Sequence, residues 1–152
     1  MVALTFTRVT DDVTADVWRQ VHNEIIPSDP LTLDEVMSRS RRNSLDLAHL
    51  GNDVVGCSTV RPATEEDPVT VIVPVLHGFR RQGIGSAYLG HALAQAQELG
   101  AADIATIVLA SNADGLAFAL RRGFVETERY TLDGDTVAYV HLARPLRDAT
   151  GS

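Results

Sequence analysis

The chain has 152 residues, enough for one domain of ordinary size. Hydrophobic residues make up 45% and charged residues 22%, as in globular proteins, so a disordered chain is excluded. The net charge of −7 argues against a protein that binds nucleic acid mainly through attraction to phosphate. Cys57 is the single cysteine, and no Cys or His pair has metal-ligand spacing, so we predict neither an internal disulfide nor a metal site.

No apolar run approaches the roughly 20 residues that span a bilayer, and the first ten residues do not resemble a secretory signal. We therefore expect a cytoplasmic protein without a membrane partner. Residues 1–146 are expected to form one domain, followed by a short tail over 147–152.

The first part of the chain predicts one strand and two helices. Alternating apolar and polar residues predict a strand over Leu4–Val9. Apolar residues then recur every four positions over Val13–Ile25, after aspartates that can cap a helix. Thr32 and Glu35 form a capping box that predicts the start of a second helix, and this helix ends in a run of arginines.

A hairpin and a buried strand follow. Leu45–Leu50 and Val54–Arg61 flank a short run of turn-forming residues, which favours an antiparallel hairpin. The β-branched run Val69–Leu76 is typical of a strand covered on both faces. Because Pro74 cannot donate to a neighbouring strand, we expect a bulge or a local parting of strands there.

The last part predicts two helices and three strands. These are a helix over Ile84–Leu99, a strand over Asp103–Leu109, a helix over Asn112–Arg122 and a hairpin of Phe124–Leu132 with Thr136–Leu142. Arg121 and Arg122, in the last turn of their helix, are expected to complement its dipole. The strand, helix and strand across residues 69–109 require a right-handed parallel crossover, whereas the hairpins require antiparallel pairing. The predicted fold is therefore α/β (α+β), a single mixed, mostly antiparallel sheet with a central parallel pair and about four flanking helices.

The most informative segment is the glycine-bearing turn that ends at Gly83 and Gly85, where a buried strand leads into a helix. The first amides of a helix lack partners and carry the positive end of its dipole, so a turn without side chains lets an anion approach them. Arg80 and Arg81 add positive charge, which indicates a phosphate or pyrophosphate ligand. The alternative is a tight turn whose glycines serve only backbone geometry. The nucleotide P-loop is excluded because the chain has no lysine, and the dinucleotide fingerprint because Tyr88 stands where its third glycine belongs.

With these features the sequence resembles the GCN5-related N-acetyltransferase (GNAT) superfamily over nearly its whole length. The run from Arg80 to Gly85, Arg-Arg-Gln-Gly-Ile-Gly, matches the signature of that family after a strand and before a helix. Asn112 stands where the family often has an asparagine facing the cofactor, and Gly123-Phe124 resembles the pair that ends the next helix. The order of elements also resembles the acyl-CoA N-acyltransferase fold of the family.

The resemblance implies acetyl-CoA, or another acyl-CoA, as co-substrate. Its pyrophosphate would lie on the amides of residues 81–86, and its pantetheine arm in a gap between the two parallel strands, with the amide of Val75 orienting the thioester carbonyl. The cofactor-binding residues implied in this way are Val73, Pro74, Val75, Arg80, Arg81, Gln82, Gly83, Ile84, Gly85, Ser86 and Asn112.

The sequence departs from the family at the position of the usual tyrosine acid, where it has Ala119. Tyr130, Tyr139, Ser111 and water are the alternatives for protonating the leaving thiolate. Glu24 is the candidate catalytic base, since the resemblance places this region at the acceptor cleft. His22 and His77 are the alternative proton acceptors.

The function implied is N-acetyl transfer from acetyl-CoA to a primary amine of a small molecule or peptide, by direct attack. The alternative, motivated by Ala119, is a catalytically weak acyl-CoA-binding sensor or regulatory module with the same fold. The acidic surface mildly favours a cationic acceptor. No nucleic acid partner is expected, and the protein is expected to be a monomer or homodimer.

Overall fold

The structure is a computed structural model that describes residues 4–27, 29–74, 76 and 83–146. Its strands are β1 Leu4–Arg8, β2 Ser44–Leu50, β3 Asp53–Arg61, β4 Val69–Ile72, β5 Asp103–Leu109, β6 Val125–Tyr130 and β7 Tyr139–Pro145. Its helices are α1 Asp12–Ile25, α2 Leu33–Arg42, α3 Ile84–Glu98 and α4 Ala113–Arg121. Within these ranges no helix has the length and apolar character needed to cross a membrane.

Every predicted element is present, with shifts at the ends. The bounds of β5 are as predicted, whereas β4 stops four residues early, at Ile72. The last hairpin is also displaced, because its turn extends to residue 138 and β7 begins only at Tyr139.

The helix starts follow from their capping residues. The side chain of Asp11 accepts a hydrogen bond from the Thr14 amide at 2.8 Å, so Asp11 caps α1. Thr32 and Glu35 form the predicted capping box at α2, where each side chain bonds the other's amide.

All seven strands form one sheet in the order β1-β2-β3-β4-β5-β7-β6. Its neighbours are antiparallel except β4 and β5, which are parallel and joined through α3. The predicted mixed, mostly antiparallel sheet with a central parallel pair and four helices is therefore confirmed. The tail over 147–152 lies outside the described residues.

The helices cover the two faces of the sheet. On one face, Trp18 of α1 and Val36 of α2 pack on Leu45, Leu47 and Cys57 of β2 and β3. On the other face, α3 and α4 pack on a second set of side chains that includes Val60, Val71, Ile104, Val140 and Leu142. The sheet therefore has an α1/α2 face and an α3/α4 face.

Two apolar residues at the ends of the predicted helices Val13–Ile25 and Ile84–Leu99 are exposed. Val13 is 73% exposed and Leu99 is 51% exposed. A repeat of four residues drifts around a helix of 3.6 residues per turn, so Val13 leaves the buried face that Trp18 and Val21 occupy. Leu99 lies just beyond the last residue of α3.

A buried carboxylate fixes α3 against the sheet. Asp46 of β2 is almost fully buried, and its carboxylate accepts hydrogen bonds from Arg8 Nε at 2.6 Å and Gln95 Nε2 at 3.0 Å, and pairs with His91 Nε2 at 2.8 Å. The Tyr88 hydroxyl donates to the Asp46 carbonyl at 3.0 Å. Because three of these partners belong to α3, the network sets where that helix lies on the sheet.

The residues that follow β4 continue to form backbone hydrogen bonds with β3. The Cys57 amide donates to the Pro74 carbonyl at 3.3 Å, and the Leu76 amide donates to the Val55 carbonyl at 2.8 Å. Both bonds continue the register that pairs β3 with β4.

Gly56 permits this close approach. A Cβ atom on Gly56 would lie 2.7 Å from the Pro74 carbonyl oxygen and 3.0 Å from Cε2 of Tyr88. Since the first neighbour is backbone and the second belongs to a buried ring, neither can move aside without cost.

We predict that Gly56→Ala lowers the free energy of unfolding by about 1 to 3 kcal/mol through this overpacking. The control is Gly90→Ala, at an exposed position of α3 with no atom within 4 Å of the added Cβ. That change should raise stability by about 1 kcal/mol, because alanine favours a helix over glycine. Urea denaturation of both variants measures the difference, and an equally stable Gly56→Ala protein would contradict the prediction.

Candidate functional site

The sheet opens between its two parallel strands. Among the described residues, β4 and β5 pair at Val69 with Ile104 and at Thr70 with Ala105, and the pairing ends there. β5 nevertheless runs on to Leu109, paired with β7 on its other side. The edges of β4 and β5 beyond this point therefore face each other across a gap.

The predicted parting of strands at Pro74 thus occurs on the β5 side alone, and β3 keeps its register. The Pro74 carbonyl points to β3, so this residue offers the gap no backbone hydrogen bond. Backbone groups alternate in direction along a strand, so those of Val73 face the gap. A cofactor contact at Pro74 stays a prediction, and only nonpolar contact would supply it.

The N-terminus of α3 is the first described part of the chain after Leu76. Gly83 is the N-cap, with φ of 77° in the left-handed region that favours glycine. Within the described chain no side chain caps this helix, and its first turn contains no acidic residue. The amides of Ile84, Gly85 and Ser86 therefore lack intrahelical partners at the positive end of the helix dipole.

A basic residue from α4 also reaches this point. Arg122 donates a hydrogen bond to the Ser86 hydroxyl, and its guanidinium lies 4.7 Å from the centre of the Phe118 ring. Sequence analysis assigned Arg122 only to the dipole of its own helix, since nothing local shows that α4 packs here. A cation near the positive end of α3 is electrostatically unfavourable by itself and becomes favourable when an anion joins it.

Asn112 caps α4 through its side chain, which accepts a hydrogen bond from the Gly115 amide at 2.9 Å. The cap occupies the side-chain oxygen, so a ligand would meet the amide nitrogen instead. Ala119 is buried in the core on the α3/α4 face. The departure from the family at the general acid stays a prediction.

A cluster of polar aromatic residues lies on the α1/α2 face of β7. Tyr139 and His141 alternate with Val140 and Leu142, which point into the opposite core, and they pair with Leu109 and Ile107 at the free end of β5. Tyr139 donates to Oδ2 of Asp29 at 3.3 Å. Because Asp29 belongs to the connection between α1 and α2, this contact joins that connection to the sheet beside the gap.

Two side chains on this face have shifted pKa values. Burial, with added repulsion from Asp29 and Asp135, raises the pKa of Tyr139, so its hydroxyl keeps its proton at neutral pH. Burial lowers the pKa of His22, so its ring is neutral at pH 7. The Asn23 side-chain oxygen, which accepts from the Leu31 amide, lies 3.0 Å from Nδ1 of His22, so Nδ1 carries the ring proton.

The proton acceptors and donors predicted from sequence lie in different surroundings. Glu24 is exposed at the last turn of α1, and Ser111 is exposed just before α4. The Tyr130 hydroxyl lies 2.9 Å from Nε2 of His141. His22 is buried and its ring stacks on Trp18, 5.3 Å between centroids. None of the proposed proton-transfer roles is tested by these positions.

Some predicted residues lie outside the described chain. They are Val75, His77, Arg80, Arg81 and Gln82. Among the described residues, no group of three or more His, Cys, Asp or Glu side chains is arranged to hold a metal ion.

Comparison with solved structures identifies the same fold in many proteins. Ard1 from Thermoplasma volcanium is 19% identical, with a TM-score of 0.80, and the match covers 97% of this chain and 100% of that one. The ribosomal-protein-S18-alanine N-acetyltransferase from Escherichia coli is 17% identical, with a TM-score of 0.74 and coverage of 97% and 96%. YncA from Salmonella typhimurium, solved with its cofactor acetyl-CoA, is 14% identical, with a TM-score of 0.74 and coverage of 99% and 98%.

At these identities the likeness shows the fold. No curated protein matches the chain by sequence. The model of the acetyltransferase (GNAT) family, however, matches residues 12–124, which is most of the chain and includes the gap, α3 and α4. The chain belongs to the GNAT family of acetyltransferases.

Proposed function

We propose that this protein transfers an acetyl group from acetyl-CoA to the primary amine of a small molecule or peptide by direct attack. The observation that carries the proposal is the gap between β4 and β5, which leads to an uncapped helix N-terminus. One end of this arrangement suits an extended arm and the other suits a diphosphate.

The N-terminus of α3 fits the diphosphate. Among the described residues, no atom lies within 4 Å of a Cβ placed on Gly83, so this part of the chain leaves the front of the helix open. Three free amides, the Ser86 hydroxyl and the Arg122 guanidinium would meet an anion placed there. Arg80, Arg81 and Gln82, as residues of the same turn, are proposed to add to this site.

The thioester arm is proposed to lie in the gap, where it would take the place of a strand. The backbone of Val73 faces this space, and its N–H and C=O are proposed to bond the end of the donor that lies deepest in the gap. The amide of Val75, between Val73 and α3 in the chain, is proposed to bind the oxyanion that forms during attack.

The reaction requires that an uncharged amine attack the thioester carbonyl carbon. The C–S bond then breaks and the thiolate takes up a proton, while the new C–N bond gives the amide. Because position 119 is alanine, Tyr139 is a proposed donor of that proton. Its hydroxyl is protonated, and it lies on the α1/α2 face beside the free end of β5. Glu24 is the proposed acceptor of the proton that the amine loses.

The second candidate function is an acyl-CoA sensor that binds the same ligand without turnover. Buried Ala119 favours it, because the family's usual acid is missing there. This candidate shares the whole nucleotide site and differs only in whether free coenzyme A is produced.

The test is release of free thiol from acetyl-CoA in the presence of a panel of amines, for which we expect release that requires both substrates. Cys57 will not disturb this measurement, because it is fully buried and burial raises the pKa of its thiol. Release that any amine stimulates contradicts the sensor, whereas coenzyme A binding without release from any amine contradicts the enzyme.

Gly85→Glu is predicted to abolish binding of coenzyme A. A Cβ at residue 85 would contact the Phe118 ring at 3.5 Å, and the new carboxylate would stand in the first turn of α3, where it repels phosphate. Wild-type protein at 100 times the dissociation constant should gain roughly 2.7 kcal/mol from the ligand, seen as a rise in melting temperature.

Gly90→Glu is the matched control, since it adds the same charge to the same helix at an exposed position. It should keep the full rise in melting temperature. A full rise in the Gly85→Glu protein would place the nucleotide elsewhere.

A further inference from the structure

A basic cavity lies on the α1/α2 face beside the gap. Its volume is about 450 Å³, and it is an open pocket bordered by the end of α2 and by the connection from β3 to β4. Arg39 and Arg42 of α2 and Arg61 of β3 line it, together with Thr59 and Ile72. Two helical arginines and one from the sheet thus converge on one space.

The strand pairing places this cavity at the acyl end of the proposed cofactor site. Thr59 pairs with Ile72. Their neighbours Val60 and Val71 are buried under α3 and α4, so Thr59 and Ile72 lie on the opposite, α1/α2 face of the sheet. Ile72 directly precedes Val73, about 3.3 Å along the chain. The proposed diphosphate site is at the N-terminus of α3, which follows Leu76 in the chain. Ile72 lies at the opposite end of the segment from Ile72 to Leu76, so the cavity adjoins the thioester end of the proposed cofactor site.

The register of the central strands relates the cavity to the polar cluster of β7. β4 pairs with β5 at Thr70 and Ala105, so Ile72, which lines the cavity, lies two residues further along, at the level of Ile107. Ile107 pairs with His141 of β7. The cavity and the polar cluster of β7 therefore flank the same part of the gap.

The three guanidinium groups form no ion pair within 4.0 Å among the described residues. Hydrogen bonds with Thr32 lower the pKa of Glu35, one turn before Arg39 on α2, and the charge of Arg39 contributes to this shift. The hydrogen bond that the three side chains make joins Arg42 to the Ser38 hydroxyl. The described residues that line the cavity include no Asp or Glu. The acidic residues Glu65, Glu66 and Asp67, in the neighbouring connection, are exposed and do not pair with these arginines.

We propose that the acceptor amine also carries an anionic oxygen group, as an amino acid does, and that Arg39, Arg42 and Arg61 bind this group. The proposal rests on the proposed acetyl transfer and names its substrate class. Converging guanidinium groups bind carboxylate and phosphonate oxygens through paired, charge-assisted hydrogen bonds. Bound there, the oxyanion leaves the amine of the same molecule to enter the gap at Val73.

This inference reverses the expectation from overall charge. A net charge of −7 favours a cationic acceptor only through the long-range field. The cavity carries three positive side chains at short range, and contacts at the site determine which acceptor is bound.

The test compares acceptors that differ only in the anionic group. Thiol release is measured with L-amino acids and their carboxamides, and with 2-aminoethylphosphonate and ethanolamine. We expect kcat/KM to be at least about 10-fold higher for the charged member of the preferred pair, as one charge-assisted hydrogen bond provides. The pair that shows the preference distinguishes carboxylate from phosphonate.

Arg61→Gln should lower kcat/KM for the charged acceptor by about 10- to 100-fold and leave the neutral analogue unchanged. Arg42→Gln, at a more exposed position, provides a second variant, and circular dichroism checks that both fold. Arg129→Gln is the control, because Arg129 pairs with Glu126 on β6 and does not line the cavity. In all three proteins the rise in melting temperature with coenzyme A should be unchanged.

Equal use of the charged and the neutral member in both pairs, or preference for a polyamine, would overturn this inference and leave acetyl transfer intact. If no amine is acetylated, calorimetry with succinate tests the cavity by itself. Binding by wild-type protein that Arg61→Gln removes supports an oxyanion site even if acetyl transfer fails. Absence of succinate binding to the wild-type protein, together with absence of turnover, overturns the inference as well.

Discussion

The structure depends on one difference in strand pairing: the described residues from Val69 to Leu76 keep their register with β3, whereas pairing with β5 ends after Thr70. A central strand normally satisfies its backbone groups on both sides. After Thr70, the described backbone groups on the β5 side have no neighbouring strand to bond. The uncapped N-terminus of α3 and the polar side chains of β7 both lie near this opening, so the proposed nucleotide and acceptor sites follow from the same local loss of pairing.

Sequence patterns predicted the features that depend on local chemistry. The capping box of Thr32 and Glu35 and the bounds of β5 follow from residues that are neighbours in the chain. The parallel pair also followed, because a strand, a long helix and a strand allow few topologies. The early end of β4 could not be predicted from local patterns, because it reflects the loss of pairing with β5, more than 30 residues away.

The site beyond the family signature could not be predicted for the same reason. Arg61 belongs to a predicted strand and Arg39 to a predicted helix end, and nothing in their spacing shows that they meet. The contact between Arg122 and Ser86 likewise joins two helices that only tertiary packing brings together. Glu24 illustrates the opposite case, in which a family-based expectation falls on a residue that the fold leaves exposed.

The gap between β4 and β5 also affects the continuity of the sheet. Strands β1 to β4 and strands β5 to β7 form two blocks that share a seam of only a few backbone bonds. An extended amide-bearing molecule lying along that seam would bridge both blocks and finish the sheet. When that molecule dissociates, the bridge between the two blocks is lost. Each reaction cycle would therefore alternate between a continuous sheet and a divided one.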